Sequence, residues 1–324
     1  AWPQFLLPTI ARAVREANTK VVVLDDDPTG TQTVHDLWVL THWSPEALQE
    51  ALNDERGVFY ILTNSRSLPE WRAVALVREI AANLASAATQ VGCRLEVISR
   101  SDSTLRGHFP AEVDALQETL EQYLGCRYDG LLICPFFFEG GRFTAHDVHW
   151  VCEGEKLIPV GQTEYARDAT FGYRASNLRQ WVAEKTRGRL PSSEVESISL
   201  ETIRRQGPDG VLMVLRQMRD ARVAVVNAVS YRDMEVVVAA LLRAEAGGQR
   251  FLLRTAASFV RPRAGLGARA PLTSEEMAGA REGAGLIVVG SYVDKTTRQL
   301  QQALMLPGLE GLELQVARVL DASR

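Results

Sequence analysis

The amino-acid sequence predicts an α/β protein: an N-terminal domain with a mostly parallel sheet flanked by helices, followed by the start of a second α/β domain. Short β-branched runs recur along the chain, and continuous apolar runs of this length are typical of buried parallel strands. Helical patterns alternate with these runs, which indicates βαβ units. Polar, glycine-containing segments follow the runs, at the ends of strands where ligands collect in such sheets. The pattern indicates an enzyme or a small-molecule binder.

Each predicted element rests on its own run of residues. Seven apolar runs are predicted to be strands: residues 20–24, 58–62, 94–98, 130–134, 223–226, 251–253 and 286–289. Apolar residues at helical spacing predict helices over residues 68–91, 110–124, 233–246 and 296–306.

The predicted domains differ in size. A large N-terminal domain is expected over residues 1–260, and a linker over residues 261–284, which begins with a stretch rich in Gly, Pro and Arg. Residues 285–324 resemble the opening βα unit of another domain. They are too few for a complete sheet domain, so we expect the remainder of that domain to be missing.

Composition excludes several classes of protein. The chain has 324 residues, with 36 Lys and Arg against 40 Asp and Glu and a formal net charge of −4. This balance argues against a nucleic-acid partner. The apolar runs fall far short of the roughly 20 residues that span a membrane, so no membrane partner is expected. Four cysteines without CxxC spacing predict reduced thiols in a cytoplasmic protein.

Three consecutive carboxylates, Asp25, Asp26 and Asp27, follow the first predicted strand. Packing like charges together is unfavourable unless a cation, a substrate hydroxyl or a perturbed protonation state relieves the repulsion. A helix N-cap at Asp27 with a turn at Gly30 would explain only one of the three. The cluster indicates either a general base for a sugar hydroxyl or ligands of Mg²⁺.

A second polar segment, residues 100–107, follows the third predicted strand. Asp102 can accept hydroxyl protons, and Arg106 offers a planar fork to a carboxylate or a phosphate. In the structural alternative, Asp102 or Ser103 caps the helix after Pro110 and Arg106 forms a solvated ion pair.

Three other features carry weaker signals. Arg142 follows a glycine pair and could contact an anion, although a core segment with a glycine turn is nearly as consistent with this pattern. His146 and His149 have the spacing of a metal pair, but nothing fixes a third ligand, so the metal ligands stay unknown. The pair Gly290-Ser291 could offer N–H groups and a hydroxyl to a phosphate.

One alternative is a phosphatase. Asp25-x-Asp27-x-Thr29 is a literal DxDxT, the nucleophile motif of haloacid-dehalogenase-like phosphatases, and Leu62-Thr63-Asn64 is similar to their second motif. In such enzymes the first Asp attacks phosphorus and Mg²⁺ neutralises charge. No downstream strand ends in the paired acidic residues that would complete the metal site, and lysine is scarce.

The order of the motifs supports a different assignment. Residues 26–30, the block Asp102-Ser-Thr-Leu-Arg-Gly107, residues 135–142 and Gly290-Ser291 with Thr296 together resemble the four-carbon acid sugar kinase family. The resemblance spans roughly residues 18–305. It implies ATP-dependent phosphorylation of a tetronate-type acid sugar (threonate, erythronate or a 3-oxo form) with Mg²⁺. The N-terminal domain would bind the sugar acid and the C-terminal domain the nucleotide.

The resemblance also implies residue roles. Asp26 and Asp27 match the family's acidic pair, with Asp27 as the first choice for the base that deprotonates the attacking hydroxyl. The residues that it places at the substrate are Asp102, Ser103, Thr104, Arg106, Arg142, Thr29 and Gly30. The residues that it places at the nucleotide are Gly290, Ser291 and Thr296.

The chain departs from the family pattern at Arg100-Ser101, where Lys is frequent, at the additional Asp25, and at Val293, where many members have serine. These departures leave the substrate's identity open. A non-catalytic sugar-acid binder is a third possibility. The oligomeric state is open, with a homodimer as the prior for such enzymes.

Overall fold

The structure is a computed structural model that describes residues 2–276, 285–291 and 293–320. The chain divides into two compact units, one that ends at Arg269 and one that begins at Ala270. Each unit is described by itself.

The described residues contain eleven strands and ten α-helices. The strands are β1 (Thr19–Asp25), β2 (Trp38–Leu40), β3 (Val58–Leu62), β4 (Arg94–Arg100), β5 (Gly130–Cys134), β6 (Arg142–Ala145), β7 (Val148–Glu153), β8 (Lys156–Pro159), β9 (Glu196–Ile198), β10 (Arg222–Val226) and β11 (Phe251–Thr255). The helices are α1 (Leu7–Glu16), α2 (Pro45–Asn53), α3 (Glu70–Val91), α4 (Ala111–Leu124), α5 (Leu178–Lys185), α6 (Gly207–Gln217), α7 (Tyr231–Ala246), α8 (Ala257–Arg263), α9 (Asp294–Ala303) and α10 (Val316–Leu320).

Eight strands of the first unit form one parallel sheet in the order β2-β3-β1-β4-β11-β5-β10-β9. Alternate residues of a strand enter opposite cores: Val22 packs on one face of the sheet, and Val21 and Val23 pack on the other. Because both faces of the sheet are covered, its central strands are continuous apolar runs. The α/β fold predicted from the sequence is confirmed.

A small antiparallel sheet of β6, β7 and β8 is inserted between β5 and β9. These strands are only four to six residues long and partly exposed, so they lack the apolar signature of the central strands. Residues 142–177, which contain this sheet and the segment after it, are called the insert below. The insert carries side chains to the carboxyl edge of the large sheet.

The first unit extends past residue 260, where the sequence places the end of its domain. Helix α8 crosses that position, and Arg263 at its end is buried against β4 and α7. A buried guanidinium with two carboxylate partners holds this part of the chain to the sheet.

In the second unit, helix α9 begins two residues before its predicted start. Residues 285–291 are extended but form no strand, so the prediction for residues 286–289 is wrong. Leu286 and Val288 are 89% and 83% exposed, because no neighbouring strand pairs with them within the described part of this unit. Across the described residues, no helix is both long and apolar enough to cross a membrane.

Candidate functional site

The polar segments meet at the carboxyl ends of β1, β3 and β4. Strand β1 lies between β3 and β4, with Asp25 in register with Leu62 on one side and Arg100 on the other. The chain adds strands first on one side of β1 and then on the other, which makes this a topological switch point. In open parallel sheets the crevice at such a point is where ligands bind.

Arg100 is the cation at the centre of the three aspartates. Its Nη1 atom lies 3.0 Å from an oxygen of Asp25, 3.4 Å from one of Asp26 and 3.3 Å from one of Asp27. The Arg100 side chain is only 5% exposed. One buried guanidinium thus holds three carboxylates together, and the charges that the sequence places side by side receive a counter-charge.

Arg66, just after β3, supplies a second cation. It donates two hydrogen bonds to Asp26, from Nε at 3.1 Å and from Nη2 at 2.5 Å. Its Nη1 atom lies 2.6 Å from Asp27 and 4.0 Å from Asp102. Arg66 therefore links the aspartates after β1 to the loop after β4.

The three aspartates have different electrostatic environments. Burial raises the pKa of Asp25 to about 7, although Arg100 acts in the opposite direction. Burial also raises the pKa of Asp26, partly offset by Arg66. For Asp27, burial acts to raise the pKa, but Arg66, Thr29 and Arg100 together outweigh it and lower the pKa. Asp27 is also the most exposed of the three, with 22% of its side chain accessible against 3% for Asp25 and 5% for Asp26.

Asp27 begins a turn and not a helix, so the N-cap interpretation is wrong. Its carboxylate accepts hydrogen bonds from the backbone N–H of Thr29 at 2.7 Å and from the Thr29 hydroxyl. Gly30 folds back over Asp25, and a Cβ atom at this glycine would lie 2.0 Å from an Asp25 oxygen. Only glycine permits this approach, so Gly30 encloses the buried carboxylate.

The loop after β4 is held by its own ion pair. Arg106 donates from Nε to Asp102 at 2.7 Å, and the Thr104 hydroxyl donates to the same carboxylate oxygen. Burial alone would raise the pKa of Asp102, but the charges of Arg66 and Arg106 lower it below its usual range. Helix α4 begins after Pro110 with no side-chain cap. The helix-capping alternative for this loop is therefore wrong.

Two side chains of the insert form hydrogen bonds with two consecutive backbone carbonyls of this loop. His149 contacts the Ser103 carbonyl oxygen with Nε2 at 2.7 Å, and Tyr173 donates its hydroxyl to the Thr104 carbonyl at 2.5 Å. A carbonyl only accepts, so His149 Nε2 carries the proton and Nδ1 accepts from the Thr144 hydroxyl at 2.9 Å. Burial lowers the pKa of His149 to about 4, which keeps this imidazole neutral. Both of its nitrogens are used, so His149 is not a metal ligand.

Two arginines share one aromatic ring at the outer side of the site. The guanidiniums of Arg106 and Arg142 lie 5.1 Å and 5.7 Å from the centre of the Tyr165 ring. Arg106 has Asp102 and, at 3.9 Å, Asp168 as partners. Arg142 forms no ion pair with a carboxylate among the described residues, and its buried Nε–H has no acceptor among them. An anion is the partner that Arg142 lacks among the described residues.

Arg254 on β11 is a further buried cation next to the site. Its guanidinium lies 5.1 Å from the Phe109 ring and 5.0 Å from the Trp181 ring, and it donates to the Arg106 carbonyl at 3.4 Å. Burial lowers the pKa of Arg254 to about 10, although Asp26 acts to raise it. At neutral pH it remains a cation.

The aspartate cluster does not fit a resident metal ion. In the part of the chain that the structure describes, no group of three His, Cys, Asp or Glu side chains is placed to hold one. The oxygens of the aspartates contact Arg66 and Arg100 instead. Of the two hypotheses for these carboxylates, the structure does not support the one in which they are ligands of Mg²⁺. Mg²⁺ enters the proposed function only together with the nucleotide.

The predicted nucleotide residues lie in the second unit. Gly290 is exposed in the extended segment before α9, and Thr296 lies in the first turn of that helix. Ser291 follows Gly290, and the next residue, 292, lies outside the described residues. Their role stays a prediction.

The geometry also argues against the phosphatase alternative. Its nucleophile would be Asp25, which is 2% exposed, lies under Gly30 and is paired with Arg100. A nucleophile must reach its substrate. Asp25 cannot do so in this structure.

Several residues of the site carried no usable sequence signal. Arg66 and Arg254 are single arginines after or within apolar runs, and the insert residues Tyr165 and Tyr173 lie in polar segments that are uninformative individually. Arg66 could have been found from its place directly after a predicted strand, at the same edge as the aspartates.

Comparison with known proteins agrees with this fold. The family described as "Sugar-binding N-terminal domain" matches residues 21–263, more than half of the chain. A parallel sheet with a polar, arginine-rich crevice at its switch point is thus the core of a sugar-binding N-terminal domain. More particularly, the chain belongs to the four-carbon acid sugar kinase family.

Individual relatives are more distant. A D-threonate kinase from Bordetella bronchiseptica is 29% identical over 165 residues, which cover 48% of this chain and 37% of that protein. A domain of unknown function from the same species, solved with citrate as a domain-swapped dimer, is 22% identical with a TM-score of 0.56. That match covers 76% of this chain and 56% of the other.

A Haemophilus influenzae protein is 17% identical with a TM-score of 0.51, and the match covers 75% of this chain and 55% of that one. The chain therefore spans 37% of the length of the curated relative and a little over half of these solved proteins.

Proposed function

We propose that this chain binds the acid sugar of an ATP-dependent kinase that phosphorylates a hydroxyl of a four-carbon acid sugar of the threonate, erythronate or 3-oxo-tetronate type. One observation carries the proposal. In the crevice, ion pairs connect the accessible, ionised carboxylate of Asp27 through Arg66 and Asp102 to Arg106. Arg106 shares the Tyr165 ring with Arg142, which has no carboxylate partner among the described residues. A hydroxylated carboxylic acid has the two chemical groups that these ends recognise.

The arginine end would bind the carboxylate of the substrate. Arg142 and Arg106 present two guanidiniums on one ring, and Arg106 is already oriented by Asp102. Charge-assisted hydrogen bonds to a carboxylate are among the stronger polar contacts, and a guanidinium forms them in pairs. A neutral sugar would leave Arg142 without this partner, which is the basis for selecting an acid.

The aspartate end would hold the attacking hydroxyl. Asp27 is the candidate base because it is the accessible member of the cluster, and its lowered pKa keeps it ionised at neutral pH. Phosphoryl transfer depends mainly on positioning and charge stabilisation, so a weak but well-placed carboxylate suffices to take the proton. Asp26, held by Arg66, would fix the position of its neighbour.

Binding of the remaining substrate atoms is assigned to the loop after β4 and to the turn after β1. Asp102, Ser103 and Thr104 would contact sugar hydroxyls, and Thr29 would orient Asp27. Mg²⁺ bound with ATP would shield the charge of the phosphates. Gly290, Ser291 and Thr296 remain the proposed nucleotide contacts, and a homodimer and a cytoplasmic location belong to the same proposal. The four free cysteines are consistent with that location.

Calorimetry with matched ligands tests binding by these 324 residues. We expect threonate or erythronate to bind and the corresponding neutral tetritols, which lack only the carboxylate, to bind at least tenfold more weakly. Equal affinity for the acid and the tetritol would exclude recognition by the arginine end.

Release of ADP tests the reaction itself. The full-length protein that carries this domain should consume Mg·ATP with at least one of the tetronates, and no turnover with any of them would contradict the kinase assignment while leaving a sugar-acid binder. The variant Asp26→Asn distinguishes the phosphatase alternative from the kinase. A phosphatase that uses Asp25 and Asp27 would retain its activity in this variant.

A further inference from the structure

A small, partly polar chamber lies next to the aspartate cluster and is lined by two of its members, Asp26 and Arg100. Its polar lining consists of Asp26, Thr63, Ser65, Ser99, Arg100 and Glu112. We call it the inner chamber. It has room for about one water molecule.

Arg100 has a donor that no group in the described part of the chain satisfies. Its Nη1 atom holds the three aspartates, but its Nε–H is buried and has no acceptor among the described residues. Arg100 is 4% exposed and lines the inner chamber. A buried N–H of a charged group without a partner is costly, so a polar molecule in the chamber would lower the energy of the site.

Glu112 faces the same chamber from the first turn of α4. It is 7% exposed and forms a hydrogen bond with Ser65. A carboxylate near a helix N-terminus is favourable, but Asp114 of the same turn, whose side chain is 35% exposed, provides this at a smaller desolvation cost. The burial of Glu112 therefore needs another explanation.

The surroundings of Glu112 connect it electrostatically to the site. The charged or titratable groups that face it are Asp26 after β1, Arg100 on β4, His108 before α4 and Arg254 on β11. The nearby part of α3 contributes only the apolar Val77. Burial raises the pKa of Glu112, and the negative charge of Asp26 adds to that effect.

We propose that one ordered water molecule in the inner chamber joins Arg100 and Glu112 to Asp26, and that Glu112 is thereby a positioning residue for the aspartate cluster. The water accepts from Arg100 Nε and donates to the two carboxyl groups, which gives it the three partners typical of a buried water. Glu112 does not touch the substrate and acts through Asp26. This role rests on the proposed function, whereas the water site does not.

A high-resolution crystal structure of this chain tests the water site directly. We expect density for one water molecule within hydrogen-bonding distance of Arg100 Nε and of both carboxyl groups. A dry chamber, or a chamber closed by a protein side chain, would overturn the proposal without bearing on sugar binding.

The pH dependence of acid-sugar affinity tests the role of Glu112. Glu112→Gln keeps the shape of the side chain and removes a negative charge beside Asp26. Because neighbouring like charges raise each other's pKa, the loss of binding on acidification should move to lower pH by roughly half a unit to one unit. Glu118→Gln on the exposed face of the same helix is the matched control and should leave the profile unchanged.

The outcomes of the two proposals are distinguishable. An unchanged profile in Glu112→Gln, with wild-type affinity for tetronates intact, would refute the positioning role alone. If the wild-type chain binds no tetronate, the proposed function fails, and the density in the chamber still decides whether the water site exists.

Discussion

Strand β4 carries a buried cluster of arginine and carboxylates at each of its ends, and the two clusters differ in one respect that matters. Near the amino end, Arg263 donates to Glu96 at 2.9 Å and to Glu245 at 3.0 Å. At the carboxyl end, Arg100 holds the three aspartates. In the first cluster no charged side chain is more than 13% exposed. The second leaves Asp27 22% exposed and is linked through Arg66 to the arginine end of the crevice.

Perturbed ionisation does not distinguish the two clusters. Burial raises the pKa of Asp25 in one and of Glu245 in the other. Such shifts occur in structural ion pairs as well as in active sites. The accessible carboxylate and the arginine without a carboxylate partner are the features that support the carboxyl end as the proposed binding site.

The largest effect on stability is expected at the amino end. Arg263→Met leaves Glu96 and Glu245 buried without their cation, which should lower the free energy of unfolding by about 3–5 kcal/mol. Urea unfolding at neutral pH measures this loss. Arg127→Met, at an exposed ion pair, should cost less than about 1 kcal/mol, and equal losses in both variants would remove the distinction between buried and exposed pairs.

A substitution of Arg142 should lower ligand affinity and leave stability nearly unchanged, the reverse of what is expected for Arg263→Met. Arg142→Gln removes the arginine that has no carboxylate partner, so affinity for a tetronate should fall roughly 10- to 100-fold, as expected for a hydrogen bond to a charged group. Unfolding should be nearly unchanged. Calorimetry with Arg78→Gln, at an exposed ion pair, provides the control. A large loss of stability without a loss of affinity would place Arg142 in the same class as Arg263.

Gly30 tests how tightly the carboxyl-end cluster is packed. In Gly30→Ala the new methyl group would meet the Asp25 carboxylate and push it away from Arg100, which should cost roughly 1–3 kcal/mol. Gly57→Ala is the comparison, since its Cβ would meet only Val14 at an ordinary 3.6 Å. Similar melting temperatures for the two variants would show that the turn after β1 accommodates a methyl group at residue 30 without a loss of stability.

The remaining prediction is a pH dependence of stability that both clusters share in sign. The pKa of Asp25 is raised from 3.8 to about 7, so its contribution to stability is present below about pH 4 and is lost as the pH rises through 7. Asp25→Asn should remove this dependence and, relative to wild type, gain about 4 kcal/mol at most between pH 4 and 8. Glu245→Gln removes the corresponding contribution at the amino end. A stability of the wild-type protein that rises steadily from pH 4 to 8 would contradict the protonated state of Asp25.

The sequence predicted the parts of this molecule in which one physical rule dominates. Central strands such as β1 and β5 are continuous apolar runs because both sheet faces are buried, and the aspartates and residues 101–107 were found because parallel strands end at one edge. Strand β2 was missed because it has three residues, two of them exposed, and β6 to β8 because short antiparallel strands lack that pattern.

The partners of the aspartates were harder to predict. Arg66 and Arg100 are separated from them by about 40 and 75 residues along the chain, and their pairing follows only from the order of strands in the sheet. The apolar run at residues 286–289 shows the opposite case, where a good strand pattern forms no strand because pairing needs a neighbour.

The hydrogen bonds from the insert to two consecutive carbonyls offer, under the proposed function, a way for substrate preference to change. His149 and Tyr173 set the orientation of the Ser103–Thr104 backbone, yet neither belongs to the large sheet. The sheet can therefore stay intact while residues 142–177 diverge and tilt the loop, which under the proposed function would favour acids of a different length or stereochemistry. Grafting this stretch between relatives is then a direct way to transfer selectivity without rebuilding the framework beneath it.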